Sequence, residues 1–232
     1  SSSVMSDQIK HECGIALIRL LKPLSYYHEK YSTAVYGLDK LYLLMDKQHN
    51  RGQDGAGIAT IKLGMKPGNR YIDRYRAVGA KAVSEIFEYV QRDFGTIQKN
   101  NPERIQDTDW LKQNMSFTGE VLMGHLRYGT HGENSVENCH PFLRQNNWMT
   151  RNLVIAGNFN MTNVDELLGQ LYALGQHPKE QADTVTVLEK IGHFLDTENQ
   201  ALFDKFKAAG HSNLEISHQI AEHLDVSKIL HR

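Results

Sequence analysis

Strand-like runs come first in this chain and helical runs last, without regular alternation between them. That order constrains the fold more than any other feature, because a doubly wound parallel sheet needs strand and helix in turn; it predicts α+β layers. Residues 13–21 read as a first strand closed by Lys22-Pro23, and residues 31–47 as a helix with Leu38, Leu41, Tyr42 and Met45 on one face. Residues 58–63 and 71–78 read as a strand pair joined by a turn over 64–69. A short helix is predicted over 81–90. The stretch 91–118 is polar, aperiodic and rich in Asn, Asp and Gln, and reads as a long surface excursion, an insertion rather than core. Strand character returns at 120–128 and at 153–156. Asn163 is placed to cap a helix over 164–174, and further helices are predicted over 183–195, 200–209 and 213–224, with glycine, or asparagine with serine, at the breaks.

Polar residues with chemical potential fall where these strands end, which is where sites tend to be built. Cys13 stands at the mouth of the first strand in His11-Glu12-Cys13-Gly14-Ile15-Ala16-Leu17-Ile18, with no side chain at Gly14 to block an approaching substrate. Only a thiolate attacks carbonyls well, so a base must take the thiol proton. His11 shares a strand face with Cys13, but its Cα would lie roughly 6–7 Å away with the side chains parallel, a poor geometry for proton transfer. The other candidate is the backbone amine of Cys13 itself, with an ordinary α-amino pKa of about 7.7–8.0. That base exists only if residues 1–12 are removed. On position alone, a small core cysteine is the simpler account.

Arg127 follows a strand-like run and could hold a carboxylate with its bidentate fork, or tie loops to the sheet. Asn158, after Gly157, could aim its amide at a developing oxyanion, or serve as a turn residue. Asp183 opens a helix and could accept an ammonium group, or act as a plain cap. Arg51 and Asp54 form one possible charge pair in a glycine-dense turn. Together with Cys13 these residues make a parts list for acyl transfer from an amino acid amide.

Composition narrows the alternatives. The 232 residues carry a formal charge of -1, with 40% hydrophobic and 23% charged residues, which gives no electrostatic reason to expect nucleic acid or an acidic membrane surface. Two cysteines, Cys13 and Cys139, are too few for a disulfide scaffold and suit a reducing cytoplasm. No apolar run approaches the ~18–20 residues of a membrane span. Twelve histidines invite a metal site, yet they show no His-x-x-x-His or Cys-x-x-Cys spacing, so no metal is expected. Cys139, beside His140 and Pro141, is read as a structural loop residue rather than a second reactive thiol. Ser1-Ser2-Ser3-Val4 before Met5 reads as an expression scar, with Met5–Glu12 as a native leader.

Four blocks in order carry a resemblance: Cys13-Gly14-Ile15, Arg51-Gly52-Gln53-Asp54, Gly124-His125-Leu126-Arg127-Tyr128-Gly129-Thr130, and Asn158-Phe159-Asn160-Met161-Thr162-Asn163. The set resembles the class II glutamine amidotransferases, which are N-terminal-nucleophile hydrolases. The Arg-Gly-Gln-Asp form is similar to that of the amidophosphoribosyltransferase branch.

The resemblance implies an αββα sandwich, incomplete at the C-terminus of this chain, with residues 1–12 as leader and 13–232 as the N-terminal part of a glutaminase domain. It implies that Cys13 is the nucleophile and that its freed amine is the base. Arg127, with Thr130 and His131, would hold the glutamine carboxylate, and Asp183 the α-ammonium. Asn158 and the backbone N–H of Phe159 would form the oxyanion hole, with Phe159 standing where the family usually has glycine. Arg51 and Asp54 would shape the pocket floor. Glutamine would be cleaved to glutamate and ammonia for phosphoribosylamine formation in purine biosynthesis. The partner would be a phosphoribosyltransferase domain outside this chain, in a homo-oligomer when full length, and only that domain would need Mg2+. Glu12-Cys13 has the form of a propeptide junction in this family. Two other readings stay open: a different N-terminal-nucleophile amide hydrolase, and a degenerate or unprocessed domain that only binds glutamine or a partner.

Overall fold

The computed structural model describes residues 13–49, 52–129, 135–158, 164–174 and 183–231. They divide into two compact units, one built from residues up to 141 with 156–158, the other from 142–155 with 159 onward.

The first unit is organised by a four-stranded antiparallel sheet in the order β1-β4-β2-β3: β1 (Gly14–Arg19), β2 (Gly55–Ile61), β3 (Ile72–Val78) and β4 (Val121–Arg127). All four match strands predicted from periodicity, within two or three residues at their ends. One face of the sheet is covered by α2 (Tyr36–Gln48) and α3 (Ala82–Asn100). Leu38, Leu41 and Met45 of α2, at helical spacing, are buried in the core, as are Val83, Ile86, Phe87, Val90 and Ile97 of α3. They meet Ala16, Ala56, Ile58, Leu122 and Leu126 from the sheet in one continuous cluster. Tyr42, expected on the buried face of α2, is 40% exposed and meets Phe87 edge-on.

Two readings of this unit need correction. The helix predicted over 31–47 begins only at Tyr36, as α2, and an unpredicted helix, α1 (Leu24–Tyr31), precedes it, ended by Ser32 in the left-handed conformation (φ 57°). The stretch 91–118 is no excursion from the core. Helix α3 runs through it to Asn100, and α4 (Thr108–Asn114) follows, opened by Asp107 accepting the N–H of Trp110. Leu111, Met115 and Phe117 are buried in the main cluster. The polar residues that suggested a loop lie on the outer faces of these helices.

The second unit pairs β5 (Phe142–Arg144) with β6 (Leu153–Ile155), antiparallel, and adds α5 (Val164–Ala173), α6 (Asp183–Ala208), α7 (Asn213–His223) and α8 (Val226–Leu230). Helix α6 is the spine, in contact with β5, β6, α5, α7 and α8. It joins two segments predicted as separate. Asn199 does not break it, because its side-chain amide donates to Leu195 O and Thr150 O at 2.8 and 3.2 Å, satisfying a buried group inside the helix. Helix α7 begins with a capping box in which Ser212 and Glu215 satisfy each other's backbone N–H groups. The α+β expectation holds for both units. Among the described residues, no helix is long and apolar enough to cross a membrane.

Candidate active site

The sheet register brings chemistry-bearing residues to one end of three neighbouring strands. Gly14 on β1 is opposite Leu126 on β4, so the register continued by one residue sets Cys13 opposite Arg127. On its other side Arg127 is opposite Gly55 of β2, directly after Asp54. Backbone bonds extend this end of the sheet: Asp54 N–H donates to Arg127 O at 3.1 Å, and Gly79 N–H to Asp54 O at 2.7 Å. Cys13 is half-buried.

Period-two alternation decides which way these residues face. Gly14 faces the helical layer, where a Cβ would meet Gln48 Oε1 at 2.5 Å. The missing side chain at Gly14 therefore makes room for the C-terminal residue of α2 rather than for a substrate, which corrects the sequence reading. Gln48 in turn donates to Ile15 O at 3.4 Å and accepts at its backbone carbonyl from the Tyr128 hydroxyl at 3.1 Å. Tyr128 and Gln48 thus tie α2 to β1 and to the end of β4. Cys13 alternates to the opposite face, the one shared by Arg127, His125, Gly55 and Gly57.

Arg127 and Asp54 form an ion pair, Nη1 to Oδ2 at 3.4 Å, with side chains only 14% and 19% exposed. The Asp54 carboxylate tucks beneath Gly129, where any Cβ would collide with it. The carboxylate thus orients the guanidinium that the sequence marks for carboxylate recognition.

The same face carries a feature that no sequence motif announced. The segment 137–141 lies across β2 and β3, held by Arg76, whose guanidinium donates to Cys139 O at 3.0 Å and Glu137 O at 3.4 Å, and by Arg74, which donates to Pro141 O at 3.4 Å. The His140–Pro141 peptide is cis. Gly57 is required beneath it, because a Cβ there would collide with His140 O. His140 stacks on His125 with ring centroids 4.3 Å apart. Gly157 lies between them in hydrogen-bond terms: its N–H donates to His140 Nδ1 at 3.1 Å, and its carbonyl meets His125 Nε2 at 3.2 Å. Burial holds both imidazoles well below the ordinary histidine range, His125 to about 4 and His140 to about 3; the neighbouring charges of Arg127, and for His140 of Arg76, push the same way. Asn158 follows Gly157 and is exposed.

Cys139 is fully buried against Gly55, its thiol donating to Ala77 O at 3.5 Å, and burial pushes its pKa up. That agrees with its reading as a structural residue and leaves Cys13 as the thiol available for chemistry. Asp183 is the first residue of α6, as predicted, in the second unit. Arg51, Thr130, His131, Phe159 and residues 1–12 lie outside the described residues. Among the described residues, no group of three His, Cys, Asp or Glu could hold a metal ion. Sequence reasoning missed the His125–His140 pair; its only trace was the i, i+2 spacing of His125 and Arg127 on β4.

Comparison with known proteins gives a concordant picture. Residues 89–227, well over half of the chain, match the family model described as glutamine amidotransferases class-II. The chain is 30% identical over 183 residues to an amidophosphoribosyltransferase of Methanocaldococcus jannaschii, covering 79% of this chain and 30% of that protein. It is 27% identical over 192 residues to the amidophosphoribosyltransferase of Methanothermobacter thermautotrophicus, covering 83% and 31%. A glutamine–fructose-6-phosphate aminotransferase of Streptococcus pneumoniae is 32% identical over 93 residues, covering 40% and 15%. The chain thus spans less than a third of the length of these relatives.

Proposed function

Because this chain belongs to the class II glutamine amidotransferases, we propose that it hydrolyses the side-chain amide of glutamine, with Cys13 as nucleophile. The observation that carries the reading is the register that pairs Gly14 with Leu126, one residue from Cys13 and from Arg127, and pairs Arg127 with Gly55, the residue after Asp54. In the proposed reaction the Cys13 amine, freed by cleavage after Glu12, takes the thiol proton, and the thiolate attacks the amide carbon. Asn158 and the N–H of Phe159 hold the oxyanion. The C–N bond breaks, the amine returns its proton to the departing ammonia, and water hydrolyses the glutamyl thioester to glutamate and the free thiol. An uncleaved leader leaves residue 13 with an amide nitrogen whose lone pair is tied up by resonance, and hence no base.

Arg127, Thr130 and His131 are assigned to the glutamine carboxylate, Asp183 to its ammonium, and Arg51 with Asp54 to the pocket floor. The ammonia is proposed to feed phosphoribosylamine formation by a phosphoribosyltransferase domain, in a cytoplasmic homo-oligomer of purine biosynthesis, with Mg2+ confined to that domain. The names of the archaeal relatives support this assignment. The αββα sandwich is proposed on the same footing, supported by the antiparallel sheet with helices α2 and α3 on one face.

The test is direct. The chain is incubated with glutamine, asparagine and glutaramide, and ammonia is measured alongside N-terminal sequencing. Release from glutamine alone, by protein beginning at Cys13 and abolished in Cys13→Ala, is expected. Equal release by Cys13→Ala, or by protein retaining its leader, overturns the reading.

A further inference from the structure

The proposed oxyanion hole hangs on a flexible joint. Asn158 follows Gly157, and glycine by itself leaves the next peptide free to rotate over a wide range of φ and ψ. A donor that wanders cannot stabilise charge at the moment of reaction, since the benefit comes from dipoles already in place. The sequence therefore poses a physical problem at Gly157, and the structure contains its solution.

The Gly157 carbonyl and the Asn158 N–H are two ends of one planar peptide. Fixing the carbonyl fixes the plane, and with it the N–H direction of Asn158 and the N–Cα axis from which its side chain is built. His125 Nε2 meets that carbonyl at 3.2 Å, while the N–H on the other side of Gly157 is taken by His140 Nδ1 at 3.1 Å. The glycine is held from both sides by two rings that are themselves stacked, 4.3 Å between centroids and 22° between planes. Each ring sits on a rigid support. His125 is inside β4, 1% exposed, two residues from Arg127 and opposite Ile15 and Gly57. His140 is fixed through the segment that Arg74 and Arg76 strap to the sheet.

The partners dictate the tautomers. A carbonyl can only accept, so His125 carries its proton on Nε2; a backbone N–H can only donate, so His140 Nδ1 must be bare. The buried, unpartnered Nδ1 of His125 is what that tautomer leaves behind. A proton added to His140 Nδ1 would turn the acceptor into a donor facing another donor. The charged groups acting on the pair are Arg127 from β4 on both rings and Arg76 from β3 on His140, and both disfavour a second positive charge.

We propose that His125 and His140 form a neutral two-imidazole clamp on Gly157 that sets the orientation of Asn158, which makes both histidines positioning residues of the hydrolytic site. The proposal rests on the glutaminase reading for its effect on rate, but the clamp itself can be tested without activity. In this role neither ring needs to touch substrate. Each acts through the peptide it holds, so their loss lowers the rate of the acylation step without weakening glutamine binding or the reactivity of the Cys13 thiol.

Four variants separate positioning from bulk structure. Gln places an amide nitrogen where His carries Nε2, and Asn places an amide oxygen where His carries Nδ1. His125→Gln and His140→Asn therefore keep the two bonds, whereas His125→Leu and His140→Leu remove them. The Leu variants are expected to lose about a hundredfold in kcat, the scale of a catalytic group misplaced by about 1 Å. Their KM for glutamine and the rate of Cys13 alkylation by iodoacetamide stay within about twofold of the parent, and the amide variants recover most of kcat. Unchanged kcat in the Leu variants overturns the proposal. So does a parallel loss of kcat, KM and Cys13 alkylation that the amide variants do not reverse, since that marks a merely structural role. Nitrogen-15 NMR of the parent protein keeps the question answerable if the Leu variants fail to fold. It should find both rings neutral at pH 6, with the proton on Nε2 in each. A proton on His140 Nδ1, or either ring titrating at the ordinary value of about 6.5, sinks the clamp. If the parent releases no ammonia from glutamine, the functional reading fails while the NMR result still decides the clamp.

Discussion

Arg127 and Asp54 end neighbouring antiparallel strands and meet side chain to side chain, Nη1 to Oδ2 at 3.4 Å, while Asp54 N–H donates to Arg127 O at 3.1 Å. The guanidinium is therefore oriented before any ligand arrives, and one of its edges is already neutralised. An arginine so held meets a carboxylate without first losing rotamer freedom.

Asp54→Asn keeps the shape and removes the charge. The Arg127 fork then swings more freely and must be ordered by the substrate. We expect KM for glutamine to rise about tenfold, or about 1.4 kcal/mol, with kcat changed much less. Arg127→Lys should raise KM further, because a point charge cannot make the bidentate contact. Steady-state kinetics on the two variants decide this. A fall in kcat at constant KM would place Asp54 in the chemistry instead of in recognition.

The reclassified stretch 91–118 makes a stability prediction. Leu111 is fully buried in the main cluster, beside Met115 and Phe117. A residue on a surface excursion would tolerate truncation. Leu111→Ala should instead cost about 2–5 kcal/mol, the range for a buried leucine whose cavity does not collapse. Urea denaturation measures it, and a loss below about 0.5 kcal/mol would restore the excursion reading.

What was legible in the sequence follows the reach of each signal. The four strands of the first unit showed themselves because each is a short apolar run bounded by turn residues. Helix α1 did not, since Leu24 is its one buried residue and its tyrosines find their neighbours by stacking, Tyr27 and Tyr31 on Tyr36 beyond the helix end. Helix α4 hid because its core residues are few and its polar ones many. In α6, the polar run 196–199 falls between two predicted helices, and the bond of Asn199 to Thr150, 49 positions away, is what lets the helix continue through it. The site divides the same way. Cys13, Arg127 and Asp54 could be picked out as polar residues at strand ends. The histidine clamp joins positions 125, 140 and 157 through a cis peptide and a glycine contact, and local patterning shows only the i, i+2 spacing of His125 and Arg127.

The clamp also makes acid costly. His125 and His140 stay neutral in the folded protein down to about pH 4 and 3, whereas in the unfolded chain both titrate near the ordinary value of about 6.5. Between those limits the unfolded state binds more protons, so stability is complete above about pH 6.5 and declines as pH falls toward 4. The urea midpoint should drop between pH 7.5 and 5.0. It should drop less in the His125→Gln, His140→Asn double variant, which has no imidazole to protonate at these positions. Identical pH profiles for the two proteins would show that these rings are not the buried neutral pair described.

Two helical glycines should respond in opposite directions to the same substitution. Gly95, inside α3, has open space where a Cβ would go. Gly95→Ala removes the helical penalty of glycine and should stabilise by about 0.5–1 kcal/mol. Gly192, inside α6, lies under Arg144, where a Cβ would approach Nε at 2.5 Å and Cδ at 2.6 Å. That arginine cannot easily move aside. It forms two bonds to Asp196, Nη1 to Oδ1 at 3.2 Å and Nη2 to Oδ2 at 2.7 Å, with Glu189 Oε2 at 3.5 Å from Nε, and these pin β5 to α6. Propensity alone predicts a gain for Gly192→Ala, but displacing a bidentate, half-buried ion pair outweighs it, and a net loss of about 1–3 kcal/mol is expected. Thermal or urea denaturation of the two variants gives the answer. A stabilised Gly192→Ala would mean that the Arg144 network yields freely and does not fix the place of β5 on the helix.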